Sequence, residues 1–153
     1  MAFGLRRFER AATSHLEDGE SILGGTWART PGGFAAERAF GPAGGLAARL
    51  GAADAGALRL PKAFEVAVTD RRLLFFDRSM VTGRPGRLVA ELTLTDVAVA
   101  ELTTRHRGIE SAAIVLRSGG SIEFEVAKIG SRALVEDFVS CVNHQLVGQR
   151  CSA

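Results

Sequence analysis

Cysteine is scarce in this chain, and its histidines lack the spacing of metal ligands. There are 2 cysteines and 3 histidines among the 153 residues. Cys141 and Cys151 lie near the C-terminus, far from any ligand-type arrangement with the histidines. The sequence therefore predicts reduced thiols, no zinc site and no other cofactor.

Long apolar runs are also lacking. Charged residues interrupt the most Ala-rich segment, so no run approaches the roughly 20 residues that a membrane-spanning helix requires. The first 20 residues lack the uninterrupted apolar core of a signal peptide. We expect a cytoplasmic protein that is either free or peripheral to the inner face of the membrane.

Motifs for catalysis or nucleic-acid binding are missing as well. The glycine-rich segment 41–45 lacks the Lys-Ser/Thr ending of a phosphate loop. No nucleophile elbow organises the serine, histidine and acidic residues. The formal net charge of +2 is too small to indicate a nucleic-acid partner. The sequence predicts a protein that is not an enzyme and binds no nucleic acid.

The clearest structural signal is a β-hairpin between residues 63 and 77. Phe64, Val66 and Val68 alternate with other residues, which is typical of a strand with one buried face. The second run, 73–76, is apolar without alternation, so its strand should be covered on both faces.

Further strands are predicted on both sides of this hairpin. Seven antiparallel strands begin near residues 21, 64, 71, 88, 97, 112 and 121. The spacing of Leu88, Ala90, Leu92 and Leu94 predicts one shared face. Gly119 and Gly120 supply positive φ angles for a tight hairpin. An Ala/Gly-rich insertion, 30–61, separates the first two strands.

Two helices are predicted at the ends of a single domain that spans residues 1–153. The C-terminal helix, 131–147, repeats apolar residues at i, i+4, with Ser131 as N-cap and Gly148 as C-cap, and should cover the sheet. The N-terminal helix, 3–16, is amphipathic. It either docks on the domain or lies on an anionic membrane through Phe3, Leu5, Arg6, Arg7, Phe8 and Arg10.

These pieces together resemble the bacterial pleckstrin-homology-like (PH-like, GRAM-related) domains. The resemblance rests on Glu17-Asp18-Gly19-Glu20, the hairpin Val68-Thr69-Asp70-Arg71-Arg72-Leu73-Leu74-Phe75, Leu94-Thr95-Asp96-Val97, Gly119-Gly120 and the closing helix. It covers the chain from Leu16 to Leu146 and implies a mainly β fold: a bent, seven-stranded, partly open barrel capped by the C-terminal helix. It also implies a non-catalytic binding module.

Arginines supply the candidate binding residues. Arginine forks suit phosphates and carboxylates, so a lipid headgroup or an acidic protein surface could bind to Arg71, Arg72, Arg84, Arg87, Arg105 and Arg107. The competing interpretation is that Arg71 and Arg72 are solvated or paired with nearby acids, while Asp70 fixes the turn.

Three functions stay open at this point. The leading hypothesis is an adaptor that binds another protein or itself, for example by strand addition at an open sheet edge. The second is peripheral binding to anionic membranes. The third is a carrier that holds a small apolar ligand inside the barrel.

Overall fold

The computed structural model describes residues 9–31, 60–79, 82–103, 109–127 and 131–151. The predictions for residues 3–8, for most of the insertion 30–61, and for Arg105 and Arg107 lie outside these ranges. In the described part of the chain, no helix is long and apolar enough to cross a membrane.

Seven antiparallel strands form one continuous sheet in the described residues, as predicted. Along this sheet their order is β4-β3-β2-β1-β7-β6-β5, so among these strands β4 and β5 are the two edges and do not pair with each other. The strands are β1 (Ile22–Arg29), β2 (Ala63–Thr69), β3 (Arg72–Arg78), β4 (Pro85–Thr93), β5 (Val97–Leu102), β6 (Ile109–Leu116) and β7 (Ser121–Ala127).

The inner face of the sheet carries the main core. Phe64, Phe75 and Phe124 are fully buried there. The Phe124 ring lies 5.9 Å from that of Phe64 and 5.7 Å from that of Phe138, both edge to face, a geometry that aromatic pairs favour. The interior of the bent sheet is thus filled by interlocking rings.

The C-terminal helix (Ser131–Cys151) covers this core with an apolar stripe. The stripe comprises Val135, Phe138, Val142 and Leu146, so the prediction of a covering helix is confirmed. Its predicted end at Gly148 is wrong, because the helix continues to Cys151. Gly148 is not among the positive-φ glycines, and a glycine ends a helix by entering that left-handed region.

A second, smaller core lies on the outer face of the sheet. Residues 9–12 are helical and continue into a 3₁₀ turn, Thr13–His15. Ala12 is fully buried against Ala67, Leu74 and Phe76. The apolar run in β3 is therefore covered on both faces, as expected, and this part of the N-terminal segment docks on the domain.

The prediction that Leu88, Ala90, Leu92 and Leu94 share one face of the sheet is wrong for Leu88. Leu88 lies with the outer cluster, whereas Ala90 and Leu92 lie against the inner core. The cause is a register shift between β3 and β4 beside Phe75 and Phe76. An extra residue in one strand reverses the faces of all residues beyond it.

Glycines with positive φ make the β6–β7 hairpin turn, as predicted. Gly119 has φ +92° and Gly120 has φ +85°. Leu116 donates its N–H to the carbonyl of Gly120 at 3.1 Å, which closes the turn. Side chains with a Cβ rarely adopt these angles, so the two glycines account for the tight return of the chain.

Candidate functional site

The guanidinium of Arg72 lies among three carboxylates. It contacts Glu91 at 2.7 Å, Glu20 at 2.9 Å and Glu17 at 3.6 Å. Its Nη2 also donates to the carbonyl oxygen of His15 at 2.9 Å. These contacts join the N-terminal segment, β3 and β4, and the Arg72 side chain is only 12% exposed.

Glu20 is the buried member of this cluster, and its carboxylate accepts several hydrogen bonds. Thr69 Oγ1 donates to Oε1 at 2.7 Å, Arg72 Nε donates to Oε1 at 3.0 Å, and the Glu17 N–H donates to Oε2 at 2.8 Å. The hydrogen bond from Arg72, supported by those from Glu17 and Thr69, outweighs burial and lowers the pKa of Glu20 to about 2. The same pairing with Glu20 raises the pKa of Arg72.

The turn before β3 is fastened to the start of β1. Asp70 accepts the N–H of Ser21 on Oδ1 at 3.0 Å and donates its own N–H to the Ser21 carbonyl at 3.1 Å. Thr69 Oγ1 accepts the N–H groups of Arg71 and Arg72 at 3.1 and 2.9 Å. Asp70 thus links two elements, while the Thr69 hydroxyl holds the turn itself.

Arg71 is the more exposed of the two hairpin arginines. Its side chain is 46% exposed, contacts Glu17 at 3.2 Å and donates to the Asp18 carbonyl at 3.2 Å. Both arginines therefore pair with acids of the N-terminal segment, which agrees with the competing interpretation for Arg71 and Arg72 but not with the turn-fixing role that it gave to Asp70. An external anion would have to displace these carboxylates.

The other candidate arginines lie elsewhere. Arg72 pairs with Thr93 at the end of β4, whereas Arg78 pairs with Pro85 at its beginning. The exposed Arg84 and Arg87 lie at the beginning of β4. The two described arginine pairs thus lie at opposite ends of β4 and do not form one site.

A cation–π contact on the outer face was not foreseen from the sequence. The Arg78 guanidinium lies 4.6 Å from the ring centroid of the half-buried Trp27. Arg78 Nε also lies 3.6 Å from Oε1 of Glu65, whose side chain is 2% exposed. One feature of the sequence indicates such a contact. Glu65 lies within an apolar strand, and buried carboxylates need a cationic or hydrogen-bonding neighbour. The contact fixes Arg78 in place.

The two edges of the sheet differ in what covers them. At the β5 edge, the Asn143 amide of the C-terminal helix bonds both backbone groups of Ala100. At the β4 edge, no strand within the described ranges pairs with the outer side. The available edge for an added strand is therefore that of β4.

Neither a metal site nor an activated thiol emerges in the described part of the chain. No group of three or more His, Cys, Asp or Glu side chains is arranged to hold a metal ion there. Cys141 lies on the helix near Gly24, and burial, assisted by Asp137, raises the pKa of its thiol. A raised pKa disfavours the reactive thiolate.

This arrangement, a seven-stranded antiparallel bent sheet with a C-terminal helix across its inner face, defines a PH-like fold. The chain is similar to the crystal structure of a pleckstrin homology domain from Shewanella amazonensis SB2B, with a TM-score of 0.52 and 11% sequence identity. The match covers 94% of this chain and 98% of that one. No family model and no curated protein matches the sequence. At this identity the likeness establishes the fold, and the GRAM relation stays a prediction.

Proposed function

We propose that this chain is a non-catalytic PH-like binding module that acts by contact with a protein, which includes a second copy of itself. The observation that carries the proposal is the engagement of Arg71 and Arg72 by Glu17, Glu20 and Glu91. Those carboxylates compete with a phosphate for the best-formed arginine pair of the described chain. The β4 edge, which no strand of the described ranges covers, supports backbone-mediated contact with a protein instead.

The fold gives this proposal a rigid framework. Bent antiparallel sheets present edges and loops from a packed core, and binding residues commonly lie on such loops and edges. Here the core is filled by Phe64, Phe75, Phe124 and Phe138, each at most 2% exposed. A small apolar ligand in this part of the interior would have to displace these rings, which argues against the carrier hypothesis.

Self-association and partner binding are tested on the whole chain. Sedimentation velocity over a range of concentrations should give a concentration-dependent oligomer, or else affinity capture should retain a stoichiometric partner whose complex survives gel filtration. A chain that stays monomeric and retains no partner would contradict the proposal. Arg72→Lys should leave such binding unchanged if the arginine acts only within the domain.

Contact with anionic membranes is the second candidate, and exposed arginines favour it. Arg84 and Arg87 are exposed at the start of β4, and Arg10 is exposed on the N-terminal segment. Such groups attract anionic headgroups by roughly 1 kcal/mol each, an attraction that salt screens.

Flotation with anionic and neutral vesicles, at low and high salt, separates the two candidates. Salt-sensitive binding to anionic vesicles alone would favour the membrane-binding candidate. This binding should be lost in the variant Arg84→Glu/Arg87→Glu or in the variant Arg6→Gln/Arg7→Gln/Arg10→Gln. Absence of binding would favour the protein contact. Substitution is preferable to truncation at Leu16, because Ala12 and Leu16 belong to the outer core.

A further inference from the structure

We propose that the second half of β4, around Glu91 and Thr93, is a docking edge for an extended, basic peptide segment that adds to the sheet as an eighth strand. This inference rests on the proposed function, because it names the surface and the chemical class of a protein partner. It starts from the hydrogen-bond directions of the β3–β4 ladder.

Backbone groups of Glu91 and Thr93 point away from β3. Leu94 donates its N–H to the carbonyl of Arg71 at 3.0 Å, and the next pair along is Arg72 with Thr93. Antiparallel pairs alternate between bonded and non-bonded. Thr93 and Glu91 are therefore in non-bonded positions, with the Thr93 N–H and both backbone groups of Glu91 directed to the outer edge.

The opposite edge of the sheet is less suitable. At Ala100, the corresponding outward groups of β5 are bonded to the side-chain amide of Asn143, at 2.9 Å for the N–H and 2.8 Å for the carbonyl. A strand added there would have to displace the C-terminal helix. The first half of β4 is also interrupted, since two register shifts lie between Pro85 and Ala90, and bulges weaken edge pairing.

The side chains along β4 define an alternating pattern for the partner. Ala90 and Leu92 are half-buried on the inner face, where they pack against the core. Partner residues beside them would extend that core and should be apolar. Glu91 lies on the outer face with 56% of its side chain exposed, so partner residues on that side should be polar.

The charges near Glu91 indicate that the polar residues of the partner should be basic. Glu17, Glu20 and Glu91 surround Arg72, and among the described residues Arg71 is the second cation that pairs with this group. The exposed Asp96 follows within the same corner and accepts a hydrogen bond from Thr93. Arg117 also reaches this corner, where its Nε donates to the Val97 carbonyl. Among the described residues, four carboxylates thus face three guanidinium groups, and basic side chains complement the excess of acid.

The same charges disfavour pairing between two copies of β4. An antiparallel two-fold pairing that uses the outward groups of Glu91 places Glu91 opposite either the second Glu91 or the second Thr93. Each Glu91 would then face either its own counterpart or the Thr93–Asp96 pair of its neighbour, and like charges across an antiparallel pair are destabilising. A basic segment of another chain has no such conflict.

The probe is the peptide Gly-Gly-Lys-Val-Arg-Val-Lys-amide, labelled with fluorescein on its N-terminal glycine and titrated into the full chain. In the first control peptide, Glu replaces each basic residue. In the second, the backbone nitrogen of Arg, which lies between the two valines, is N-methylated. Binding is read from fluorescence anisotropy, and its location from amide chemical-shift changes. We expect shifts centred on Glu91 and Thr93, and at least about tenfold weaker binding of both controls.

Thr93→Pro is the matched change in the protein. Thr93 has φ −67°, an angle that proline adopts without strain, and its N–H makes no bond to β3. The variant should keep the wild-type circular dichroism spectrum and lose about tenfold or more in peptide affinity. Thr93→Ala, which loses the hydroxyl but keeps the N–H, should bind within about threefold of wild type.

Other outcomes would overturn the inference. Equal binding of the acidic or N-methylated peptide, or shifts centred on β5 and the C-terminal helix, would exclude the β4 edge while leaving a protein-binding module in place. A dimer that Thr93→Pro abolishes would identify a second copy as the occupant. No shifts at millimolar peptide would reject the docking edge, whereas the proposed function would still stand or fall with sedimentation and capture.

Discussion

The side-chain amide of Asn143 hydrogen-bonds both backbone groups of Ala100. Its Oδ1 accepts the Ala100 N–H at 2.9 Å, and its Nδ2 donates to the Ala100 carbonyl at 2.8 Å. An amide presents the same donor and acceptor as a neighbouring strand, so Asn143 completes the edge of β5 at this position. This contact joins the C-terminal helix to the edge of β5.

Replacing Asn143 should loosen the helix from β5. Asn143→Ala leaves two backbone groups of the 2% exposed Ala100 without their partner, and an unsatisfied buried group costs about 1–3 kcal/mol. We expect urea unfolding to show a loss in that range. We also expect faster amide exchange at Ala100. His144→Ala changes the adjacent exposed residue and should shift stability by less than about 0.5 kcal/mol. Equal effects of the two substitutions would contradict a specific role for the amide.

The Glu20–Arg72 pair should make the fold sensitive to acid. Folding lowers the pKa of Glu20 from 4.5 to about 2, so the folded state favours the ionised carboxylate. The stabilisation is present above the unfolded pKa and is lost as pH falls from about 5 to about 2. One pKa unit corresponds to about 1.4 kcal/mol, which makes the full effect on the order of 3 kcal/mol.

Glu20→Gln tests this linkage by urea unfolding at several pH values. The variant should be less stable than wild type at neutral pH, and the difference should shrink as pH falls, because protonation removes the same charge from wild type. Glu91→Gln alters a carboxylate with 56% side-chain exposure on the same arginine and should cost less than about 1 kcal/mol. A pH-independent difference for Glu20→Gln would exclude the linkage.

Asp77 and Gly86 form a close contact between β3 and β4 that can be tested by paired substitution. The Asp77 carboxylate accepts the Arg87 N–H, and a Cβ on Gly86 would overlap that carboxylate. Gly86→Ala should therefore rotate Asp77 out of its hydrogen bond and cost about 1 kcal/mol. Thermal or urea unfolding measures the effect.

The control is the same substitution in an Asp77→Ala background. There the overlap is gone, and alanine should be neutral or stabilise the fold by about 0.5 kcal/mol, because it restricts the unfolded chain. A double-mutant cycle should then give a coupling of about 1–2 kcal/mol. Additive effects would mean that the carboxylate does not constrain Gly86.

Local sequence patterns predict most of the fold. The features that they do not predict depend on pairing between segments that are distant in the sequence. The alternation in β2, the unbroken run in β3 and the glycines at 119–120 each act over a few residues, so the sequence alone indicates them. The register shift that places Leu88 on the outer face depends on how β4 meets β3. No periodicity within β4 reveals it.

The same distinction applies to the candidate site. The sequence indicates that Arg71 and Arg72 lie at a hairpin turn, and it suggests acids as competitors for them. It does not indicate which acid. Glu20 lies 52 positions before Arg72, and only the docking of the N-terminal segment on β3 brings them together. Asn143 is a comparable case, because its partner Ala100 lies 43 positions away.

Gly148 offers a direct test of where the C-terminal helix ends. It lies within Ser131–Cys151, and a Cβ there would meet nothing within 4 Å. Alanine in a helix interior is more favourable than glycine by about 0.5–1 kcal/mol, so Gly148→Ala should stabilise the fold by up to that amount. Thermal unfolding provides the measurement. Ser140→Gly, at an exposed position of the same helix, should destabilise it by about 0.5 kcal/mol. If Gly148 instead ended the helix in a left-handed conformation, alanine would be destabilising, because a Cβ is disfavoured there. The sign of the change therefore decides between a helix that continues to Cys151 and one that ends at the glycine.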